Sequence, residues 1–164
     1  MIRIGQGVDV HGFDPSRPLV LGGVRISDEG GLGGHSDADA VLHAVTDALL
    51  GALGAGDIGQ YFPSSDEQWR GADSSVFVRE ALRLMAAEHA NISNLDVTVI
   101  AERPRLGAHR DAMTASLAAL LEIDRSRVNV KATTTDHLGF IGRAEGICAL
   151  AVVLIEIGDT DGSA

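Results

Sequence analysis

One cysteine and one lysine are all that the 164 residues contain of those two types, and each scarcity removes a class of function. A lone thiol, Cys148, cannot close an intrachain disulfide. Set in the apolar run GICALAVVLIEI, it is expected to be a small buried hydrophobe in a protein of a reducing compartment. Thirteen Lys and Arg face twenty-three Asp and Glu, a formal charge of −10. With Lys131 the only lysine and the arginines scattered, no basic patch offsets that charge, which excludes nucleic acid and anionic membranes as natural partners. Long hydrophobic runs are also missing: the longest, Ile147 to Ile155, is too short to span a bilayer as a helix, and MIRIGQG lacks the charged-then-apolar pattern of a signal peptide. The expectation is a soluble, cytoplasmic protein.

What is present suffices for one domain with a real core: 45% of residues are hydrophobic and 22% charged. That domain is expected over 1–158, with a polar, disordered tail over 159–164. Alternation from Ile2 through Val10 predicts a first strand, and PLVLGGVRI two short strands about Gly22-Gly23. DEGGLGGH is expected to be a loop. Ser36, three residues before Asp39, resembles an N-cap, with a helix over Ala38 to Leu53 that stops at Gly54 and Gly56. DIGQYFPSSDEQWRGADS predicts a long functional loop. A second helix is expected from Ser74 or Ser75 to about His89, then a strand LDVTVIA, a helix GAHRDAMTASLAALLEI, a strand RVNVKAT and a last strand GICALAVVLIEI. The continuous apolarity of that last strand implies that both its faces are covered, one of them by another subunit.

Three groups of residues carry chemistry. In GVDVHG, strand alternation puts Asp9 and His11 on one face, a carboxylate beside an imidazole. A catalytic zinc site needs a third protein ligand and an open position, and His43, one turn from Asp39 and from Asp47, is the best candidate. One of those carboxylates is expected to fix its tautomer. A surface ion pair and an ordinary helical histidine are the competing readings. The second group is KATTTDHLGFIGRAEG, whose threonines, glycines and Arg143 can form a phosphate-binding lip, with Asp136 as an oxygen ligand for magnesium. The same residues also read as strand propensity and a turn. The third, AERPRLG, is a pocket wall or a plain loop, and composition does not choose between them.

Together GVDVH, HSDADAVLHAVTDALLGALGAGDIGQYFP and VNVKATTTDHLGFIGRAEGI closely resemble the 2-C-methyl-D-erythritol 2,4-cyclodiphosphate synthase family of the non-mevalonate isoprenoid pathway, from about Arg3 to Ile157. The resemblance implies an α+β fold: a mixed β-sheet with helices packed on one face, the sheets of three subunits facing the threefold axis of a homotrimer, and active sites at the interfaces. It implies zinc on Asp9, His11 and His43, and magnesium or manganese on the substrate diphosphate, with Asp136 near that second cation. His35 and Thr134 match positions that assist the transition state. His35, Ser36, Asp57, Ile58, Gly59, Phe62, Ser64 and Asp66 match the methylerythritol phosphate site, where Asp9 and His11 also lie close. Ala101, Pro104, Arg105, Leu106, Gly107, Thr133, Thr134, Thr135 and Asp136 match the cytidine and diphosphate site. Phe140 and Arg143 match positions near the substrate or the trimer axis.

The implied reaction is intramolecular attack of the 2-phosphate of 4-diphosphocytidyl-2-C-methyl-D-erythritol 2-phosphate on the β-phosphorus, releasing CMP. Three positions depart from the family pattern: Asp136 where glutamate is usual, Ser64 where aspartate is common, and Ala144 in place of a glycine. A zinc-dependent nucleotide-diphosphate phosphohydrolase is the alternative enzyme, and a trimeric phosphate-binding module the non-catalytic one.

Overall fold

The computed structural model describes residues 1–158, and the 159–164 tail lies outside the described residues. Strand β1 (Ile2–Asp14) is followed by β2 (Leu19–Leu21), β3 (Val24–Ser27) and β4 (Gly31–Leu32). Next come helices α1 (Ala40–Leu53), the single turn α2 (Ile58–Tyr61) and α3 (Ser75–Ala87). The chain ends with β5 (Ala90–Ile100), α4 (Arg110–Leu121), β6 (Val128–Thr133), the turn α5 (Gly139–Gly142) and β7 (Gly146–Ile157). One mixed sheet runs β4-β1-β7-β5-β6, and β2-β3 forms a separate hairpin. Only β5 and β6 are parallel, joined by α4 as their crossover. This is the expected α+β class, with the helices on one face.

Two glycines of β1 decide how closely that layer of helices approaches. A Cβ on Gly5 would lie 1.8 Å from the Ala48 carbonyl oxygen, and one on Gly7 1.9 Å from that of Ala44. Strand and helix backbones therefore touch directly. Two strand residues advance about 7 Å and four helical residues about 6 Å, so the steps Gly5-Gly7 and Ala48-Ala44 keep pace in opposite directions. The next step along β1 reaches Asp9, and the next turn back along α1 reaches His43 and Ala40.

Beneath α1, the inward side chains of β7 (Ile147, Ala149, Ala151, Val153 and Ile155) are wholly buried and meet Val41, Ala44, Val45 and Ala48 in one core. The outward face of the same sheet is apolar and open: Ile2, Ile4, Val8 and Val10 are 46–69% exposed, together with Val152 at 40%, and the single chain leaves them uncovered. Cys148, expected to be buried, is only partly so, because it lies on that outward face opposite Val10.

Some boundaries differ from expectation. Helix α1 begins at Ala40, capped by Asp39 rather than Ser36, since Ala38 takes the left-handed φ of 59° and cannot be helical. Helix α3 stops at Ala87 because His89 is left-handed, at φ 52°. The loop DEGGLGGH includes β4, which pairs with Phe13 and Asp14. β5 starts earlier than expected, at Ala90, because β7 is long enough to pair with it across a bulge.

Gly7→Ala is expected to lower the unfolding free energy by about 3 kcal/mol, since neither backbone can give way. Gly51→Ala, on the exposed side of α1 with no non-neighbouring atom nearer than 3.8 Å, should raise it by about 0.5–1 kcal/mol. Urea denaturation of the two variants checks the pair.

Candidate active site

The odd-numbered face of β1 delivers Asp9 and His11 to the N-terminal half of α1, where His43 projects toward them. Asp9 Oδ2 lies 2.6 Å from His11 Nδ1 and 3.4 Å from His43 Nδ1. One ligand atom from each of the three residues falls within 4.8 Å of the others. The two imidazole rings are tilted by 56° with centroids 5.1 Å apart. Asp9 Oδ2 and His11 Nδ1 are buried, close, and yet make no hydrogen bond. Two such atoms left orphaned are costly unless a cation lies between them. Burial raises the Asp9 carboxyl, but the His11 and His43 imidazoles outweigh it and bring it down to about 2, so it is anionic near neutrality. One carboxylate oxygen and two imidazole nitrogens form a donor set that suits a divalent metal ion.

Gly34 leaves room for this arrangement, since a Cβ there would stand 3.1 Å from the His11 ring and 2.9 Å from Ala38 Cβ. Arg17 holds the loop over the site by donating from Nη1 to the Gly34 carbonyl at 2.7 Å and from Nη2 to that of Ser36.

The carboxylates one turn either side of His43 do not serve it. Asp39, wholly buried, accepts from the N–H groups of Gly22 (2.8 Å), Gly23 (2.7 Å), Val41 and Leu42 (both 3.0 Å). Burial raises its carboxyl, and these backbone donors pull against that rise. It thus ties the β2-β3 turn to the start of α1. Asp47 accepts from the Ile58 N–H at 2.8 Å and steadies α2, its carboxyl raised by partial burial. Backbone N–H groups at helix starts and turns have no other partner, so they claim both carboxylates. His43 Nε2 instead meets Ser36 Oγ at 3.0 Å and Ser74 Oγ at 2.8 Å. Ser74 is expected from the sequence only as a candidate helix start, and neither it nor Asp37 behind it as a partner of His43, because Ser74 meets His43 only when the loop before α1 folds against the start of α3.

The long loop after α1 is held by aromatic packing. Phe62 lies 4.5 Å from Phe77 and 5.1 Å from Trp69, and Phe77 in turn 5.8 Å from His43. His35 Nε2 is 3.0 Å from the Asp66 carbonyl, which brings this loop to the metal-site side. Asp57 and Asp66 each accept at 3.1 Å from the N–H of a glutamine, Gln60 and Gln68, and so cap short turns. Ser64 and Gly59 are exposed nearby, with Ile58 half-buried.

A second region forms an open cavity of about 560 Å³ where β5 and β6 end side by side. Of the sequence candidates, Ala101, Pro104, Arg105, Leu106, Gly107, Thr133, Thr134 and Asp136 line it. Glu102, Arg110 and His137 line it as well. Glu102 organises the threonine turn, accepting from the N–H of Thr135 at 3.0 Å and of His137 at 3.2 Å, and from Thr135 Oγ1 at 3.2 Å. Hydrogen bonds to Thr135 and His137 outweigh burial and lower its carboxyl. Asp136 is left-handed at φ 50°, its Oδ1 accepting from Thr134 Oγ1 at 3.4 Å. Phe140 is exposed and Arg143 donates to Glu145 Oε1 at 2.7 Å, both outside this cavity. The cavity and the Asp9, His11, His43 cluster share no residue. A larger groove of about 720 Å³ between α3 and α4 contains none of the candidates.

The YgbB family model matches residues 2–156. The chain is 54% identical over 156 residues to the 2-C-methyl-D-erythritol 2,4-cyclodiphosphate synthase of a Geobacillus species, covering 95% of this chain and 99% of the relative. It is 55% identical over 155 residues to the bifunctional enzyme IspD/IspF of Rhodospirillum rubrum, covering 94% of this chain and 40% of that protein. The solved bifunctional IspDF of Campylobacter jejuni superposes with a TM-score of 0.93 at 42% identity, over 97% of this chain and 43% of that one. IspF of Plasmodium falciparum, solved as a CDP complex, gives a TM-score of 0.84 at 36% identity over 96% and 97% of the two chains. The chain therefore spans nearly the whole of its single-function relatives and about 40% of the bifunctional one.

Asp39→Ala is expected to lower the unfolding free energy by about 3 kcal/mol, an N-cap lost together with buried N–H groups left without an acceptor. Thermal and denaturant unfolding followed by circular dichroism measures it.

Proposed function

The chain belongs to the YgbB family, and from that membership we propose that it is a 2-C-methyl-D-erythritol 2,4-cyclodiphosphate synthase, an enzyme of isoprenoid biosynthesis. The observation that carries the reading is the convergence of Asp9 Oδ2, His11 Nδ1 and His43 Nδ1, two of them buried and unpartnered. The substrate is 4-diphosphocytidyl-2-C-methyl-D-erythritol 2-phosphate. An oxygen of its 2-phosphate forms a bond to the β-phosphorus, the bond from that phosphorus to the bridging oxygen breaks, and CMP departs with the oxygen. No water is consumed, so the enzyme class is phosphorus–oxygen lyase.

Such a transfer asks little covalent work of the protein, and alignment and charge do most of it. Zinc on the triad, with magnesium or manganese on the diphosphate, supplies the positive charge that an acidic chain lacks. Asp9, His11 and His43 would hold the zinc, which would supply the charge that polarises the β-phosphate. His35, held through the Asp66 carbonyl, orients the 2-phosphate, and Ser36, Asp57, Ile58, Gly59, Phe62, Ser64 and Asp66 enclose the methylerythritol end. In the cavity at the ends of β5 and β6, Ala101, Pro104, Arg105, Leu106 and Gly107 receive the cytidine. Thr133 and Thr134 donate to the diphosphate, Thr135 supports their turn through Glu102, and Asp136 would hold the second cation. The CDP bound to the Plasmodium falciparum relative supports a cytidine nucleotide as the ligand class.

A homotrimer unites the two regions, the cavity of one subunit facing the triad of its neighbour. The open apolar face of Ile2, Ile4, Val8, Val10 and Val152 supports this assembly. Phe140 and Arg143 then stand near the substrate or the axis. Among the described residues no helix is long and apolar enough to cross a membrane, and the proposed compartment is the cytoplasm.

The purified protein should sediment as a trimer and convert the substrate to cyclic diphosphate and CMP in equal amounts. A linear, hydrolysed product in the mass spectrum would overturn the reading. His43→Ala, or removal of divalent metal by a chelator, should slow turnover by about a thousandfold or more. Asp136→Glu should lower the magnesium concentration for half-maximal rate severalfold, because the longer carboxylate reaches the cation without an intervening water.

A further inference from the structure

We propose that Asp37 and Ser74 form a positioning pair that decides which ring nitrogen of His43 is bare, keeping its proton on Nε2 and its lone pair on Nδ1. Counting protons leads to this assignment. A carboxylate only accepts, and Asp37 takes both donors of Ser74: the backbone N–H on Oδ2 at 3.1 Å and the hydroxyl on Oδ1. Ser74 has one hydroxyl proton, so what its Oγ presents to its remaining neighbours is lone pairs. One of those neighbours is His43 Nε2, at 2.8 Å. Two facing lone pairs at that distance repel, so Nε2 carries the hydrogen. Ser36 agrees with this direction. Its Oγ, 3.0 Å from the same nitrogen, accepts from the Ala38 N–H at 3.2 Å and has Ser74 Oγ at 3.3 Å as an outlet for its own proton.

A neutral ring with its proton on Nε2 has Nδ1 bare, and Nδ1 faces Asp9 Oδ2 at 3.4 Å. Asp9 Oδ2 makes no hydrogen bond at that contact, which is what a bare Nδ1 leaves for a cation to bridge. The location of the pair supports the assignment. Ser74 is wholly buried and stands at the N-cap position of α3, yet its side chain makes no cap bond there. The hydroxyl that would ordinarily serve the helix start is committed to Asp37 and His43 instead. Asp37 lies outside the ligand set and also accepts from the Asp39 N–H at 3.1 Å, and it acts on the imidazole through Ser74, lending the ring electron density and fixing its rotation.

The proposal rests on the reading of the triad as a metal site, and the test separates the two. Long-range proton–nitrogen correlation spectra of the metal-free protein, labelled with nitrogen-15 in histidine, report the His43 tautomer directly. The expected result is a protonated Nε2 and a bare Nδ1, and a ring protonated on Nδ1 overturns the proposal. In Ser74→Ala, which keeps the backbone bond to Asp37, the Nδ1-protonated form should appear, and zinc affinity measured by competition with a chromophoric chelator should fall about 10–100-fold. An unchanged tautomer and affinity in Ser74→Ala would also overturn it. A wild-type protein that takes up no zinc while showing the Nε2-protonated ring would overturn the metal reading and leave the positioning pair standing.

Discussion

The direct contact of two backbones, β1 against α1 at Gly5 and Gly7, is the constraint on which the rest of the structure hangs. No side chain intervenes, so the helix sits as close to the sheet as the polypeptide allows and has no freedom to slide. That fixed distance lets the histidine next to Ala44 reach a carboxylate one step from Gly7. A methyl group at either glycine would lift the helix, and ligand atoms that now lie within 4.8 Å would separate. A position that holds no ligand thus sets the site's geometry, in the way that a small misplacement undoes a preorganised site.

Several carboxylates of this chain, the buried Asp39 and the more exposed Asp57 and Asp66 among them, are spent on backbone. Asp39 gathers N–H groups from the β2-β3 turn and from the start of α1, while Asp57 and Asp66 cap short turns in the long loop. Asp9 is the exception, with an oxygen that no N–H satisfies. The contrast separates carboxylates that build the frame from one left free for a ligand. It also shows why proximity along a helix misleads: Asp39 and Asp47 flank His43 in sequence, yet each is drawn to the nearest unpaired backbone donor.

Much of this was legible in the sequence. Alternation in β1 places Asp9 and His11 together, and the helix carrying His43 follows from composition and its closing glycines. The main elements occur in the expected order. What escaped depended on pairing between distant segments. The sequence predicts strands at 95–101 and 127–133 without saying that they run parallel, so the meeting of Glu102 with Thr135 and His137 at their shared end stayed hidden. The serine pair behind His43 was hidden for the same reason, since Ser36 and Ser74 come from loops 38 residues apart. Ala144 is a different case. It holds a left-handed φ of 56°, where glycine is unstrained, which accounts for the glycine that the family resemblance leads one to expect there.

β1 divides its residues by parity. Odd positions from Gly5 to His11 face α1 and hold the ligand atoms, whereas even positions such as Ile4, Val8 and Val10 face outward, apolar and open. The strand therefore carries two messages in alternate letters, and insertion or deletion of a single residue would exchange them, turning valine toward the proposed metal site and aspartate toward the surface where subunits would join. A length change of one residue in this strand would have to be absorbed by a β-bulge, as β5 absorbs one against β7, so substitution is the simpler way for an evolving gene to rewrite either message without shifting the frame of faces.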